Sequence, residues 1–275
     1  MAPRSILITG CSSGIGRDAA LHLHGLGWRV FATARSDADL ATLSDAGPTA
    51  LRLDYEDTAS IDAALAEVAD ATGGRLDALF NNGAYAIPGP LEDMPTDALR
   101  AIFEANLIGW HHLTRAAIPL MRQSGGRIVM CSSVLGFIPA RWRGAYIATK
   151  YALEGYTDTL RLELADTPIR VVLIQPGPIA TDFRRNAIRQ FERWIDWEAS
   201  ARVDQYRASL LDQLYKGGGG GAFEKGPDAV TKALVRALTD RHPRARYRVT
   251  LPTHGMALAR RLLPTRALDW LCGKA

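Results

Sequence analysis

The stretch Ser5-Ile6-Leu7-Ile8-Thr9-Gly10-Cys11-Ser12-Ser13-Gly14-Ile15-Gly16 decides the fold of this 275-residue chain. Its opening run, Ser5–Thr9, is apolar and β-branched and reads as a short buried strand. Gly10, Gly14 and Gly16 then permit a tight turn and a close approach of backbone to a ligand. Beyond them Ala19, Ala20, Leu23 and Leu26 recur at helical spacing. A glycine loop between a strand and a helix N-terminus aims free N–H groups and the positive end of the helix dipole at one point, which suits a pyrophosphate. Position between strand and helix, more than glycine content, separates this from an ordinary turn.

Outward from that unit the alternation continues. Strand-like runs follow at Arg29–Thr33, Thr49–Leu53, Leu76–Phe80, Ile128–Ser132, Arg170–Ile174 and Tyr247–Thr250. Helical patterns lie between them: Ile61, Leu65 and Val68 at steps of four and three, then Ala98 to Met121, then Ala145 to Ala165. Apolar strands alternating with amphipathic helices predict an α/β fold, a Rossmann-type doubly wound parallel sheet of about seven strands with helices on both faces. One dinucleotide-binding catalytic domain is expected over residues 1–275. The rhythm fails between Asp182 and Lys225, where Phe183, Phe191, Trp194, Trp197, Tyr206 and Tyr215 crowd together before the run Gly217–Gly221. Residues 183–225 therefore read as an insertion in which Gly217–Gly221 is a flexible hinge or a disordered loop, and 251–275 as a C-terminal extension.

Composition narrows the class. Apolar residues are 47% and charged residues 23%, which excludes disordered, collagenous and coiled-coil chains. The early apolar run Ile6–Ile8 is far short of the ~18 residues of a membrane span, and no basic leader precedes it, so a cytoplasmic location is expected. Cys11, Cys131 and Cys272 form neither a CxxC pair nor a Cys/His cluster, so no disulfide framework and no metal site are expected. The net charge of +4 divides into +7 over residues 226–275, where ten basic residues face three acidic ones, and −3 before it. The basic stretch Arg241–Arg248 lacks aromatic interleaving or a recognisable module, so nucleic acid is not an expected partner. Ala257–Trp270 pairs Leu258, Leu262, Leu263, Leu268 and Trp270 with Arg260, Arg261 and Arg266, the makings of an interfacial helix. Pro264 interrupts it, which favours packing on the domain or on a second subunit of a homo-oligomer over peripheral membrane contact.

Chemistry concentrates at a few positions. The second strand ends Thr33-Ala34-Arg35, where many NAD-binding folds carry an acid for the ribose hydroxyls. A guanidinium there suits a 2′-phosphate and points to NADP(H), with Ser12 as a further donor; the alternative is a solvated loop arginine. Asp54, after the third strand, is a candidate for the adenine amino group or, more plainly, a helix cap. Tyr146 and Lys150 lie four apart on one helical face, where an ammonium lowers a phenol pKa that starts at ~10. Ser133, thirteen residues earlier at the end of a strand, offers a hydroxyl to a substrate carbonyl. A Tyr-x-x-x-Lys pair alone is usually an ordinary surface helix, so the joint arrangement carries the inference.

These residues together resemble the short-chain dehydrogenase/reductase family. Thr9–Gly16 is similar to its TGxxxGxG loop, Asn81-Asn82-Gly83-Ala84 to its NNAG segment with the last two residues reversed, and Ser133, Tyr146 and Lys150 match its catalytic spacing. Pro176-Gly177-Pro178-Ile179-Ala180-Thr181 resembles the segment beside the nicotinamide. The likeness covers residues 4–183, thins through the aromatic segment and returns weakly over 226–250.

The resemblance implies that Tyr146 is the general acid/base, that Lys150 lowers its pKa and binds the nicotinamide ribose, that Ser133 orients the carbonyl, and that Asn106 holds a water of the proton relay. It implies cofactor contacts from Gly10, Ser12, Ser13, Gly14, Ile15, Gly16, Asn82, Gly83, Ala84, Pro176, Gly177 and Ile179, with Thr181 on the carboxamide. Gly89-Pro90-Leu91-Glu92 and Tyr151-Ala152-Leu153-Glu154-Gly155 look most like the 17β-hydroxysteroid and retinol dehydrogenase branch, which pairs NADP(H) with lipophilic alcohols and carbonyls. Hydride transfer to a steroid, retinoid or long-chain aldehyde-like compound is the implied reaction, with Trp142 and Phe183 as pocket residues; residues 183–225 sit where that branch closes an inserted substrate lid, and ordinary core packing is the equal alternative for their aromatics. A dinucleotide-binding regulator without turnover is the competing reading, and it has no use for Ser133, Tyr146 and Lys150 together.

Overall fold

Strand and helix alternate as the hydrophobic pattern requires, from β1 (Ser5–Ile8), α1 (Gly14–Gly25), β2 (Arg29–Ala34), α2 (Asp37–Asp45) and β3 (Thr49–Arg52) to α3 (Thr58–Thr72), β4 (Ala78–Asn81) and α4 (Thr96–Phe103). They continue through α5 (Gly109–Met121), β5 (Arg127–Cys131), α6 (Gly144–Glu163) and β6 (Arg170–Gln175). The computed structural model describes residues 3–217 and 223–273. With β7 (Arg246–Arg248), the strands form one parallel sheet in the order β3-β2-β1-β4-β5-β6-β7. Every residue of β1 and of β4 is buried, as expected for strands covered on both faces. The strand order reverses between β1 and β4, and the crevice at their carboxyl ends is where open sheets of this kind bind ligands.

Two differences from the periodicity have local causes. The last strand sits at Arg246–Arg248 instead of Tyr247–Thr250, because Thr250 leaves the sheet as N-cap of α10 (Leu251–Leu262). The pattern from Ala98 to Met121 is two helices joined by a π-helical turn, Glu104–Ile108, which carries Asn106 inward to full burial. Gly109 follows that turn at a backbone contact: a Cβ there would lie 2.3 Å from the Tyr55 carbonyl oxygen.

Residues 183–217 form α7 (Phe183–Trp194) and α8 (Val203–Gln205), the latter running on through π-helical turns Tyr206–Leu210 and Asp212–Lys216. Phe191, Tyr206, Leu210 and Leu214 bury themselves against Ile87 and Ala145 in a cluster separate from the main core. Such side chains each contribute ~1.5 to 3 kcal/mol of burial. Polar bonds hem the segment to the chain after β4: Ser200 and Tyr206 donate to Asp93 at 2.7 and 2.8 Å, and Arg202 pairs with Glu92. The chain returns through a bridge between Lys225 and Ile179. Of the expected polyglycine hinge only Gly217 is described; Gly218–Gly221 lie outside the described residues.

After α9 (Asp228–Thr239) and β7, helices α10 and α11 (Thr265–Gly273) are divided at Pro264 as its missing N–H demands. Leu268 and Cys272 of α11 pack on Ile138. Among the described residues no helix is long and apolar enough to cross a membrane, and no group of His, Cys, Asp and Glu could hold a metal ion.

Gly109→Ala tests the packing that brings α5 against the Tyr55 loop. In an open helix the change gains roughly 0.5 to 1 kcal/mol, but here the new methyl meets backbone, and overpacking costs ~1 to 3 kcal/mol. A lowered urea midpoint is expected, and an unchanged or raised midpoint would contradict this packing.

Candidate active site

The carboxyl ends of β1 and β4 meet almost backbone to backbone. A Cβ on Gly10 would lie 2.6 Å from the Gly83 Cα, and Gly10 adopts the left-handed φ of +69°. The Thr9 hydroxyl oxygen binds the junction, accepting from Asn82 N–H at 2.9 Å and Gly83 N–H at 3.3 Å, while the Tyr55 hydroxyl approaches it at 2.6 Å. Asn82 Nδ2 donates back to the Thr9 carbonyl at 3.1 Å, and Trp110 Nε1 donates to the Gly83 carbonyl at 2.9 Å. Neither Gly83 nor Ala84 has positive φ, so their reversed order demands no unusual backbone.

This junction floors a cleft of about 970 Å³, at the upper end of the range for ligand sites. Gly10, Ser12, Ser13, Gly14, Ile15, Arg35, Asp54, Asn82, Gly83, Ala84, Pro176, Gly177, Ile179 and Thr181 all line it. Gly16 lies just beneath, where a Cβ would fall 2.2 Å from the Gly10 carbonyl oxygen. Ser13 caps α1 with no side-chain hydrogen bond to the first turn. At the far end Arg35 stands 3.8 Å from Asp54, both exposed. Asp54 accepts from the Glu56 N–H, and Asp57, not Asp54, caps α3. Asp37 is paired with Arg52, which also donates to the Arg35 carbonyl. The buried Thr33 hydroxyl, on the cleft wall, has no hydrogen-bond partner.

Ser133, Tyr146 and Lys150 converge at the middle of the cleft. The Ser133 oxygen accepts from Leu135 N–H at 3.1 Å, opening the turn after β5. Lys150, 1% exposed, donates to the Cys131 carbonyl at 2.8 Å and lies 4.4 Å over the Trp110 ring and 5.7 Å over the Tyr146 ring. Burial lowers its pKa to about 8. The Tyr146 phenol differs from the expectation that Lys150 depresses its pKa. Burial pushes it up and the nearby Cys131 adds to this, while only its hydrogen bond with Ser133 works the other way. Asn106 is committed to backbone, donating to the Tyr85 carbonyl at 2.8 Å and accepting from the Tyr85 N–H at 3.1 Å. Its Nδ2 also reaches Thr149 of α6 at 3.3 Å, fixing the start of the Tyr146 helix against β4's loop.

The two expected pocket aromatics part company. Phe183 lines the cleft, edge-on to Tyr146 with ring centroids 5.3 Å apart. Trp142 is not among the lining residues and packs at a tilt on Tyr206, ring centroids 6.2 Å apart, beside the apolar cluster of the segment after β6. Arg143, Arg184, Arg189 and Arg193 also line the cleft and are absent from the sequence-based expectations. Arg189 and Arg193 repeat at a step of four on α7, which signals a shared face without saying which way it turns.

A family model described as short chain dehydrogenase matches residues 4–192. The chain is 39% identical to the uncharacterized oxidoreductase YbbO of Escherichia coli over 268 residues, 97% of this chain and 93% of that protein. It is 31% identical to retinol dehydrogenase 8 of Bos taurus, covering 90% of this chain and 81% of that one. Among solved structures, a short chain dehydrogenase/reductase from Burkholderia phymatum in complex with NAD superposes with a TM-score of 0.79 at 25% identity, covering 98% and 94% of the two chains.

The buried ammonium makes stability depend on pH in a definite sense. Between the folded pKa of about 8 and the ordinary 10.5, the unfolded chain holds a proton that the folded chain has released, so Lys150 makes stability rise with pH there. Below that window both states are protonated and the burial cost is fully present. From about pH 7 to about pH 9 the urea midpoint of the wild type should therefore rise relative to that of Lys150→Met. Midpoints that move in parallel would mean that burial does not disfavour the charge.

Proposed function

This chain belongs to the short-chain dehydrogenase family, and we propose that it is an NADP(H)-dependent member exchanging a hydride with a lipophilic alcohol or carbonyl compound. The observation that carries the proposal is the convergence of Ser133, Tyr146 and Lys150 on one cleft whose other end is a nucleotide-sized cradle. That cradle suits a dinucleotide: Gly10 and Gly14 leave backbone uncovered, the Thr33 hydroxyl is an unused buried donor, and Arg35 is a cation. When bound, the nicotinamide supplies the acceptor or donor of the hydride.

The chain's own residues handle the proton and the geometry. Tyr146, kept neutral by burial, donates its phenolic proton to a carbonyl oxygen in reduction and recovers it in oxidation. Ser133 gives a second hydrogen bond to that oxygen, and Lys150 holds the ribose. Asn106 retains one lone pair on Oδ1 for a relay water beyond its bonds to Tyr85. Residues 183–225 act as a lid over the substrate, with Phe183 as its apolar wall. Likeness to a retinol dehydrogenase supports a lipophilic substrate.

NADP(H) is favoured by Arg35, whose pairing with Asp54 is long at 3.8 Å and exposed, and by the absence of a free acid next to it in the sequence. Thr33, Ala34 and Ser36 are neutral, and Asp37 is engaged by Arg52. Charge-assisted bonds to a 2′-phosphate are worth ~1.5 to 3 kcal/mol, a preference of roughly 10- to 150-fold over NAD(H). Arg35→Ala should erase most of that preference in calorimetric titrations while leaving NADH affinity nearly unchanged. Equal wild-type affinities would reject the NADP(H) assignment.

Tyr146→Phe tests the reaction itself. Against a panel of carbonyl compounds its kcat should fall by ~10² to 10⁴ with NADPH affinity kept, since the ring still fills its site. Wild-type turnover in this variant, or no turnover of any panel member by the wild type, counts against the proposal; the second outcome favours a cofactor-binding regulator.

A further inference from the structure

We propose that the chamber beside Tyr146 recognises a carboxylate through Arg143, so that the preferred substrate is a lipophilic carbonyl or alcohol compound carrying an acid group. The proposal rests on the oxidoreductase reading above and narrows its substrate class.

Arg143 precedes Tyr146 by three residues, is half-buried and lines the cleft. Its one hydrogen bond runs to the carbonyl of its own neighbour, Trp142, at 3.4 Å, long for a guanidinium with five donors. No carboxylate pairs with it among the described residues. Acids on the segments around it are engaged elsewhere: Glu92 by Arg202, Asp93 by Ser200 and Tyr206, Asp182 by Arg185. The charge Arg143 does feel is another cation, Arg184, whose own guanidinium is spent on the carbonyls of Gln213 and Leu214 at 3.1 Å each. Burial, reinforced by Arg184, lowers the Arg143 pKa. A half-buried guanidinium that shares its cleft with a second one is unfavourable until an anion arrives, and a carboxylate offers two oxygens to its planar fork.

The position is built by the chain around it. Trp142 is the one non-glycine residue with positive φ among those described, at 63°, a conformation that L side chains rarely adopt and that persists only where its surroundings enforce it. Those surroundings are the Tyr206 ring and the Gly89 N–H, which donates to the Trp142 carbonyl at 2.9 Å beside a Gly89–Arg143 bridge. Tyr206 belongs to the segment after β6 and Gly89 lies six residues beyond Gly83, so neither is part of the nucleotide cradle formed by Gly10, Gly14, Gly83 and Arg35. The anion that Arg143 awaits is therefore on the substrate, with Phe183 and Leu135 of the same cleft offering apolar contact to the rest of it.

A ladder of ω-oxo acids and their methyl esters, matched in chain length, tests this with NADPH and, in a second arm, NADH. At the best length the acid's kcat/KM should exceed the ester's by about 10-fold or more, and the ratio should collapse toward one in Arg143→Met while Arg143→Lys keeps part of it. Rising salt should reduce the acid's advantage in the wild type, a reading that stands even if the Met variant does not fold. Equal use of acid and ester by the wild type, or a ratio that survives in Arg143→Met, overturns the proposal. Binding of saturated alkanoates and their methyl esters to Tyr146→Phe separates the two levels. Acid-selective binding without turnover of any aldehyde by the wild type would reject the oxidoreductase reading and keep the subsite; turnover of aldehydes without acid selectivity would do the reverse.

Discussion

Everything in this site depends on how closely the ends of β1 and β4 approach. Gly10 and Gly83 meet with no side chain between them, and the Thr9 hydroxyl gathers the N–H groups of Asn82 and Gly83 into one acceptor. An unpaired buried N–H costs ~1 to 3 kcal/mol, so this single oxygen settles what would otherwise be a costly seam at the sheet's reversal point. Tyr55 reaches the same oxygen from the β3 side and Trp110 holds the Gly83 carbonyl from α5. The glycine loop, the third strand's exit and the α5 helix are thereby referred to one atom. The cleft above them inherits its shape from that seam.

Over the same floor the protein keeps two ionisable groups out of water with no carboxylate in direct contact with either, Glu154 acting on Lys150 only through its charge. Lys150 is satisfied by one carbonyl and two aromatic faces, and Tyr146 by a serine hydroxyl. Desolvation acts on them in opposite senses, lowering the pKa of the amine and raising that of the phenol, so two groups with nearly equal ordinary values are driven apart and the phenol holds its proton more firmly than the amine does. The electrostatic cost is borne by the dense sheet packing beneath, where Phe80, Ile128 and Leu153 are fully buried. A site of this kind is poised for a ligand that restores favourable interactions to the buried charge.

Most of the framework was legible in the residues because it obeys short-range rules. A parallel sheet buried on both faces leaves near-continuous apolar runs, so β1 through β6 stand within a residue or two of their expected bounds. The loop Thr9–Gly16 and the Tyr146–Lys150 pair were readable because each is local, set by one turn or one helical step. What escaped depends on contacts between distant segments. Periodicity does not register the π-helical turn at Glu104–Ile108, since one extra residue in a turn leaves the apolar pattern nearly intact. Trp142 was expected at the pocket, yet its left-handed backbone sends the ring to Tyr206 and brings the next residue to the cleft. The pairing of Asp37 with Arg52 joins the loop after β2 to the end of β3 and has no signature in either segment alone.

The aromatic segment after β6 carries its own apolar cluster, centred on Phe191, Tyr206 and Leu214 and distinct from the one that buries the sheet. Substitutions on that outer cluster act first on the cleft wall lined by Phe183, Arg184 and Arg189, and only indirectly on the sheet and the Thr9 seam. The two meet at the Tyr146 helix, where Ala145 and Tyr146 belong to the outer cluster and Leu153 to the inner one. The segment that brings Phe183 to the cleft and the sheet beneath Lys150 are thus held by different sets of side chains, coupled through one helix.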